Sequence, residues 1–224
     1  MIQLRPGMWK MESSSSWGCN SYLIEEDDRL FLIDPGDGFQ LKRIVRELEA
    51  AGRSVDEVTD VLLTHYDQDH SRSAAKFRRR TGAAVYLGAA DAEILRSRTV
   101  PGSWQRRFMM RLLGLAELPE STVELRGKVT ITPTLTALPS PGHTPGHYAF
   151  VWQDVAFIGD AANTDSDGEL VPFDRALMTD PAEGDRTREM LAALPVRLFC
   201  SGHGENVERR TSRVVDSGVS PRKP

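Results

Sequence analysis

Apolar residues recur along the chain with two periods, and the changes between them mark out the elements. Residues 2–11 read as a short strand broken at Pro6-Gly7, and residues 12–18 as a serine-rich loop. Two apolar runs, 19–24 and 29–33, flank the acidic stretch Glu25-Glu26-Asp27-Asp28, the pattern of a β-hairpin with a solvated tip. Asp34-Pro35-Gly36-Asp37-Gly38 then signals a turn. Leu41, Ile44, Val45 and Leu48 repeat at helical spacing and predict a helix over 39–51, stopped by Gly52. A buried strand follows at 58–63, then a helix at 73–80, a strand at 84–87 and a helix at 91–96.

Residues 97–120 are less regular. Within them 104–112 is basic and amphipathic, with Trp104, Phe108 and Leu112 on one helical face. Strands are predicted at 130–132, 135–138, 147–152 and 155–158, the last two joined by a two-residue turn at Gln153-Asp154. A helix over 185–194 and a strand over 196–200 complete a single domain of residues 1–207, and 208–224 reads as a polar tail. Two rough copies of a strand–helix plan suggest an α/β fold of two sheets packed face to face with helices outside.

Composition narrows the class. The chain has 224 residues, 40% hydrophobic and 27% charged, an ordinary globular balance. A net charge of −4 gives no reason to expect nucleic acid as a partner. No apolar run reaches the roughly 18 residues that span a membrane, and no leader pattern opens the chain. The two cysteines, Cys19 and Cys200, read as buried thiols in a reducing compartment, with a single Cys19–Cys200 bridge as the alternative, and a cytoplasmic location is expected.

The candidate chemistry centres on Thr64-His65-Tyr66-Asp67-Gln68-Asp69-His70, which follows the apolar run Val61-Leu62-Leu63. Two carboxylates and two imidazoles crowded at a strand end repel one another or lose hydration unless a cation holds them. The remaining three of the five histidines lie in Pro141-Gly142-His143-Thr144-Pro145-Gly146-His147 and Gly202-His203-Gly204, each at a strand–loop junction. Asp160 ends the apolar run 155–160, as a helix cap or a site residue. Asp34 has the same placement, with an Asx hydrogen bond in its own turn as the simpler role.

In this order the residues His65-x-Asp67-x-Asp69-His70, His143, Asp160 and His203 resemble the signature of metallo-β-lactamase-fold hydrolases. The run Pro141 to His147 is similar to the glyoxalase II and lactonase-like branch. The resemblance spans roughly residues 19–206. It implies a four-layer αββα sandwich with a binuclear site at one edge of the sheets. Carried over by position, one metal is held by His65, Asp67 and His143 and the other by Asp69, His70 and His203. Asp160 bridges them, together with a water or hydroxide. His147 matches a position behind the ligands.

Two departures stand out. The motif usually reads His-x-His-x-Asp-His, and here Asp67 replaces the second histidine. Ser71-Arg72-Ser73 replaces the small residues that usually follow. A carboxylate in place of an imidazole makes the cluster one unit more negative. That should raise the pKa of bound water and favour Mn or Fe over Zn. The alternative is that Asp67 points away and the first site is weak.

The implied activity is hydrolysis of an ester, thioester or lactone by a metal-bridging hydroxide, with Asp69 orienting it and carrying a proton. Two divalent ions (Zn, Mn or Fe) are the expected cofactors, and a small molecule, anionic if arginines meet it, is the expected substrate. Trp104, Arg107, Phe108 and Arg111 are the candidate substrate contacts, as a lid. Helical cover for the core or a homodimer contact are the other roles open to that segment. A binuclear phosphodiesterase, a redox iron protein and a metal-bearing interaction module are the competing functions.

Overall fold

The computed structural model describes residues 1–13 and 18–209. The first sheet takes its strands in chain order. These are β1 (Ile2–Arg5), β2 (Met8–Met11), β3 (Ser21–Glu26), β4 (Arg29–Ile33), β5 (Asp60–Leu62), β6 (Ala84–Gly88) and β7 (Val123–Leu125). The strands from β1 to β4 pair antiparallel, and those from β4 to β7 pair parallel. The second sheet has the order β14 (Leu198–Ser201), β11 (Val155–Gly159), β10 (Tyr148–Trp152), β9 (Leu135–Pro139) and β8 (Val129–Thr130). β12 (Asn163–Thr164) and β13 (Leu170–Val171) form a small separate ladder.

Alternation along each strand builds three apolar layers. Tyr22, Ile24, Phe31 and Ile33 face Phe150, Trp152, Val155 and Phe157 between the sheets. The intervening Leu23, Leu30 and Leu32 point the other way. They pack under α1 (Gly38–Ala50), α3 (Ala74–Thr81), α4 (Ala89–Ser97) and α5 (Trp104–Leu113). Ala149, Ala156, Ile158 and Phe199 pack under α6 (Pro181–Ala192). Strands buried on both faces explain why the central runs read as continuously apolar. This is the expected αββα sandwich.

Local chemistry sets the boundaries. Asp37 caps α1 by accepting from the Phe39 and Gln40 amides. Asp180 caps α6 with Pro181 at its first position, so that helix starts four residues before the expected 185. The strand β7 lies where periodicity predicts none. The single-turn helix α2 (Gln68–Ser71) is also unexpected, and it places His70 inside a helix rather than in a loop. Cys19 and Cys200 are free and buried. At the C-terminal end Glu208 bridges to Leu198 and the Arg209 amide donates to the Arg197 carbonyl, and residues 210–224 of the expected tail lie outside the described residues. Among the described residues no helix is long and apolar enough to cross a membrane.

Candidate metal centre

The seven expected donors come from four segments at one edge of the two sheets. His65 to His70 follow β5, His143 lies between β9 and β10, Asp160 follows β11 and His203 follows β14. The structure gathers six of them into two triads, His65–His143–Asp160 and Asp69–His70–His203, and sets Asp67 beside the first. Asp160 joins the two. Its Oδ2 lies 3.6 Å from His143 Nε2, 4.0 Å from His65 Nε2 and 3.4 Å from His203 Nε2, and its Oδ1 lies 3.4 Å from His70 Nε2. Asp69 Oδ2 is 3.5 Å from His70 Nε2 and 3.3 Å from His203 Nε2.

A hydrogen-bond chain aims the imidazoles. His65 Nδ1 lies 3.0 Å from Thr64 Oγ1, which donates to Asp34 Oδ2 at 2.7 Å. His70 Nδ1 lies 2.8 Å from the same Asp34 oxygen. A carboxylate can only accept, so Nδ1 of His70 carries the proton, and Thr64 in turn accepts from His65. Both Nε2 atoms are thereby left facing the centre. Asp34 also accepts from the Thr64 amide at 2.8 Å. Its carboxylate therefore serves the two histidines rather than an Asx bond in its own turn, which corrects the simpler expectation.

The donor set fits a metal. His65 Nε2, His70 Nε2 and Asp160 Oδ1 are buried and have no hydrogen-bond partner. Buried polar atoms are rarely left unpaired, and these converge on the space a cation would fill. Backbone is cut back to let them converge: a Cβ at Gly202 would come within 2.6 Å of His70 Cε1.

Charge divides the site. Burial lowers the pKa of His65, and neighbouring His70 adds to the effect. His147 is held well below the usual histidine range by burial beside His65 and His143, so it is a neutral wall. Its ring stacks on His65 at 5.2 Å, and its Nδ1 lies 2.7 Å from Ser140 Oγ. Burial works against His203 too, but Asp160 and Asp69 push it up to about 10. His70 is raised as well: burial opposes the charge, but Cys19 and the carboxylates of Asp160, Asp69 and Asp34 outweigh it.

Asp67 has the least expected surroundings. Arg106 Nη2 straddles its carboxylate, 2.8 Å from Oδ1 and 3.0 Å from Oδ2, and Arg106 is 0% exposed. Burial alone would raise the Asp67 carboxyl. The Arg106 charge and the contacts of His143 and His65 instead hold it well below the usual range. Asp67 does not point away: Oδ2 lies 2.9 Å from His143 Nε2 and 3.6 Å from His65 Nε2.

The arginine reaches Asp67 because α5 lies with Arg106 and Met110 inward. The apolar face that periodicity singles out is outside, with Trp104 67%, Phe108 57% and Leu112 72% exposed. A buried carboxylate without a counter-ion is costly, by about 3–5 kcal/mol where one partner of such a pair is missing. Arg107 and Arg111 do not meet the donors. With Arg98 they line a cleft of about 470 Å³ to which none of the seven donors contributes.

Sequence reasoning also passes over Asp91. It is wholly buried and accepts from the Tyr66 amide at 3.1 Å, the Gly146 amide at 2.7 Å and Thr144 Oγ1 at 2.7 Å. It thus ties the loop of His65 and Asp67 to the loop of His143. Burial pushes its pKa up to about 6. Its place in the first turn of α4 makes it look like an ordinary helix-start acid. Phe173 is a second omission; its ring stands edge-on to His143 at 5.0 Å.

Comparison with known proteins decides the family. Residues 16–203 match the model of the metallo-beta-lactamase superfamily. The chain belongs to the metallo-beta-lactamase superfamily. It is 29% identical over 198 residues to a hydroxyacylglutathione hydrolase of Acidiphilium cryptum, covering 88% of this chain and 69% of that one. A hydroxyacylglutathione hydrolase of Fuscovulum blasticum is 34% identical over 149 residues, 65% of this chain and 48% of its own. The chain thus spans about half to two thirds of the length of these curated relatives. Among solved structures it superposes on a metallo-beta-lactamase family protein of Thermus thermophilus with a TM-score of 0.71 at 22% identity, covering 92% and 76% of the two chains. A second structure, solved in a di-iron-bound form, gives 0.68 at 24% identity and covers 89% and 94%. Membership in the superfamily agrees with the resemblance read from the motifs, and the curated relatives named above are hydroxyacylglutathione hydrolases.

Proposed function

We propose that this superfamily member is a metal-dependent hydrolase of a small acyl substrate, a thioester, ester or lactone, with two divalent ions. One observation carries the reading: Asp160 touches the histidines of both triads at 3.4–4.0 Å, so two cations placed in them would share one carboxylate. The hydroxyacylglutathione hydrolase relatives support a thioester as the first substrate to try.

His65, His143 and Asp160, with Asp67 alongside, would hold the first ion. Asp69, His70, His203 and Asp160 would hold the second. When bound, such a pair supplies Lewis acidity to water and to the scissile carbonyl. The chain does the rest. Asp34 and Thr64 keep both Nε2 atoms aimed inward. To the partly exposed Asp69, whose carboxylate faces His70 and His203, we assign the role of orienting the attacking water and taking its proton. His147 and Phe173 wall the first triad against solvent.

Elemental analysis after growth in mixed-metal medium, with a panel of thioesters, esters, lactones and bis-p-nitrophenyl phosphate, tests this. Two ions per chain and acyl turnover are expected. Phosphodiester turnover without acyl turnover would assign a phosphodiesterase instead. Metal with no turnover would assign a redox or interaction protein.

A further inference from the structure

We propose that Arg106 is a positioning residue that completes the donor at position 67, so that the Asp67–Arg106 ion pair acts toward the first ion as one neutral unit. The proposal rests on the metal-centre reading above and concerns this chain's own residues.

The geometry makes the pair a built feature. Arg106 is fully buried, and both terminal nitrogens of its guanidinium are used, while Nε has no partner. Nη2 donates to both Asp67 oxygens and, at 3.2 Å, to the Tyr66 hydroxyl, while Nη1 donates to the Leu177 carbonyl. Ser103 caps the helix by accepting from the Arg106 amide. The guanidinium also sits 5.5 Å from the Tyr66 ring. The arginine is therefore held from several sides.

The Asp67 oxygen at 3.0 Å from Arg106 is the one at 2.9 Å from His143 Nε2. A cation beside His65 and His143 would meet a carboxylate already half-satisfied by a guanidinium. Arg106 thus fixes the lone-pair direction of Asp67 and lowers its donor strength at once. The charge count changes too. Asp67, Asp69 and Asp160 carry three negative charges, and Arg106 returns one. The aspartate that by itself makes the cluster more negative leaves it, once paired, as it would be with an imidazole there. The expected loss of Lewis acidity and the drift from Zn toward Mn or Fe are cancelled to that extent.

Among the described residues no arginine pairs with the second triad; the charged groups against its histidines are Asp34 and Asp160. The two ions should then bind unequally, the weaker one beside Arg106.

Titration of chelator-stripped protein with Co2+, followed by visible absorption, and with Zn2+ by calorimetry, reads this directly. Wild type should show one tighter and one weaker ion. Arg106→Met should tighten the weaker ion by about tenfold or more, because a like charge next to it is gone. Arg106→Lys should stay within about threefold of wild type, since the charge remains. Asp67→His should loosen the weaker ion by about tenfold, leaving Arg106 unpaired against a cation, and Asp67→His/Arg106→Met should restore it. The double variant buries no unpaired charge, so it keeps the test open if either single variant fails to fold by circular dichroism. A weaker ion that is unchanged or looser in Arg106→Met, or a double variant no better than Asp67→His or without its second ion, overturns the proposal. Wild-type protein that takes up no metal would instead defeat the metal-centre reading.

Discussion

The two donor triads share Asp160 and differ in almost everything else. The first is sealed: His65, His143 and Asp160 are all buried, His147 is a neutral wall and Arg106 lies behind Asp67. The second opens outward, with Asp69 and His203 partly exposed, and its histidines are held protonated by the carboxylates when no cation is present. One cluster is poised by a fixed arginine, the other by protons that a cation must displace. The difference shows that equal donor count does not make equal sites; what stands behind each donor sets its strength.

Asp160→Asn removes what the triads have in common. Metal content should fall from two ions to fewer than one, with turnover down by about a thousandfold or more, since the site's shared charge is lost. Retention of two ions would show that Asp160 bridges nothing.

Asp91→Ala acts on the first triad's scaffold alone. Two buried amides and a hydroxyl lose their acceptor, so urea denaturation should show a loss of about 3 kcal/mol. The second triad should still take up an ion.

Asp34→Asn reaches both triads through His70 and the Thr64–His65 link. Affinity should fall by about 10- to 100-fold for each ion in a calorimetric titration. A loss at one ion only would break the symmetry that the shared oxygen implies.

Acid should separate the triads. The folded pKa of His203 is raised to about 10 and that of His70 is raised as well. Their protonated forms stabilise the metal-free fold below about 6.5, and this is lost as pH rises through the folded values. A cation must displace those protons, so affinity at the second triad should rise about tenfold per pH unit for each proton released between pH 6 and 8. His65, lowered by burial, is already neutral there and has no such proton to give up.

The smallest effect belongs to the outward face of α5. Phe108→Ser should change stability by less than about 0.5 kcal/mol and leave both ions in place. Gel filtration of the same variant reads whether that face joins two copies.

The layered fold and its element order were legible because alternating and helical apolar patterns are local, and each signals which face is buried. The histidines were legible because their motifs lie at strand ends that this sandwich brings to one edge. Asp34, Asp91 and Arg106 were not. Their meaning depends on partners 25 to 71 residues away, and no spacing rule connects them. On α5 periodicity grouped Trp104, Phe108 and Leu112 on one face, which the structure leaves outward, whereas Arg106 turns inward to the buried Asp67 carboxylate. The sequence by itself determined which chemistry is present and roughly where along the chain. The tertiary structure decided which charges face each other, because Coulombic pairing in a buried site acts through space and leaves no periodic trace.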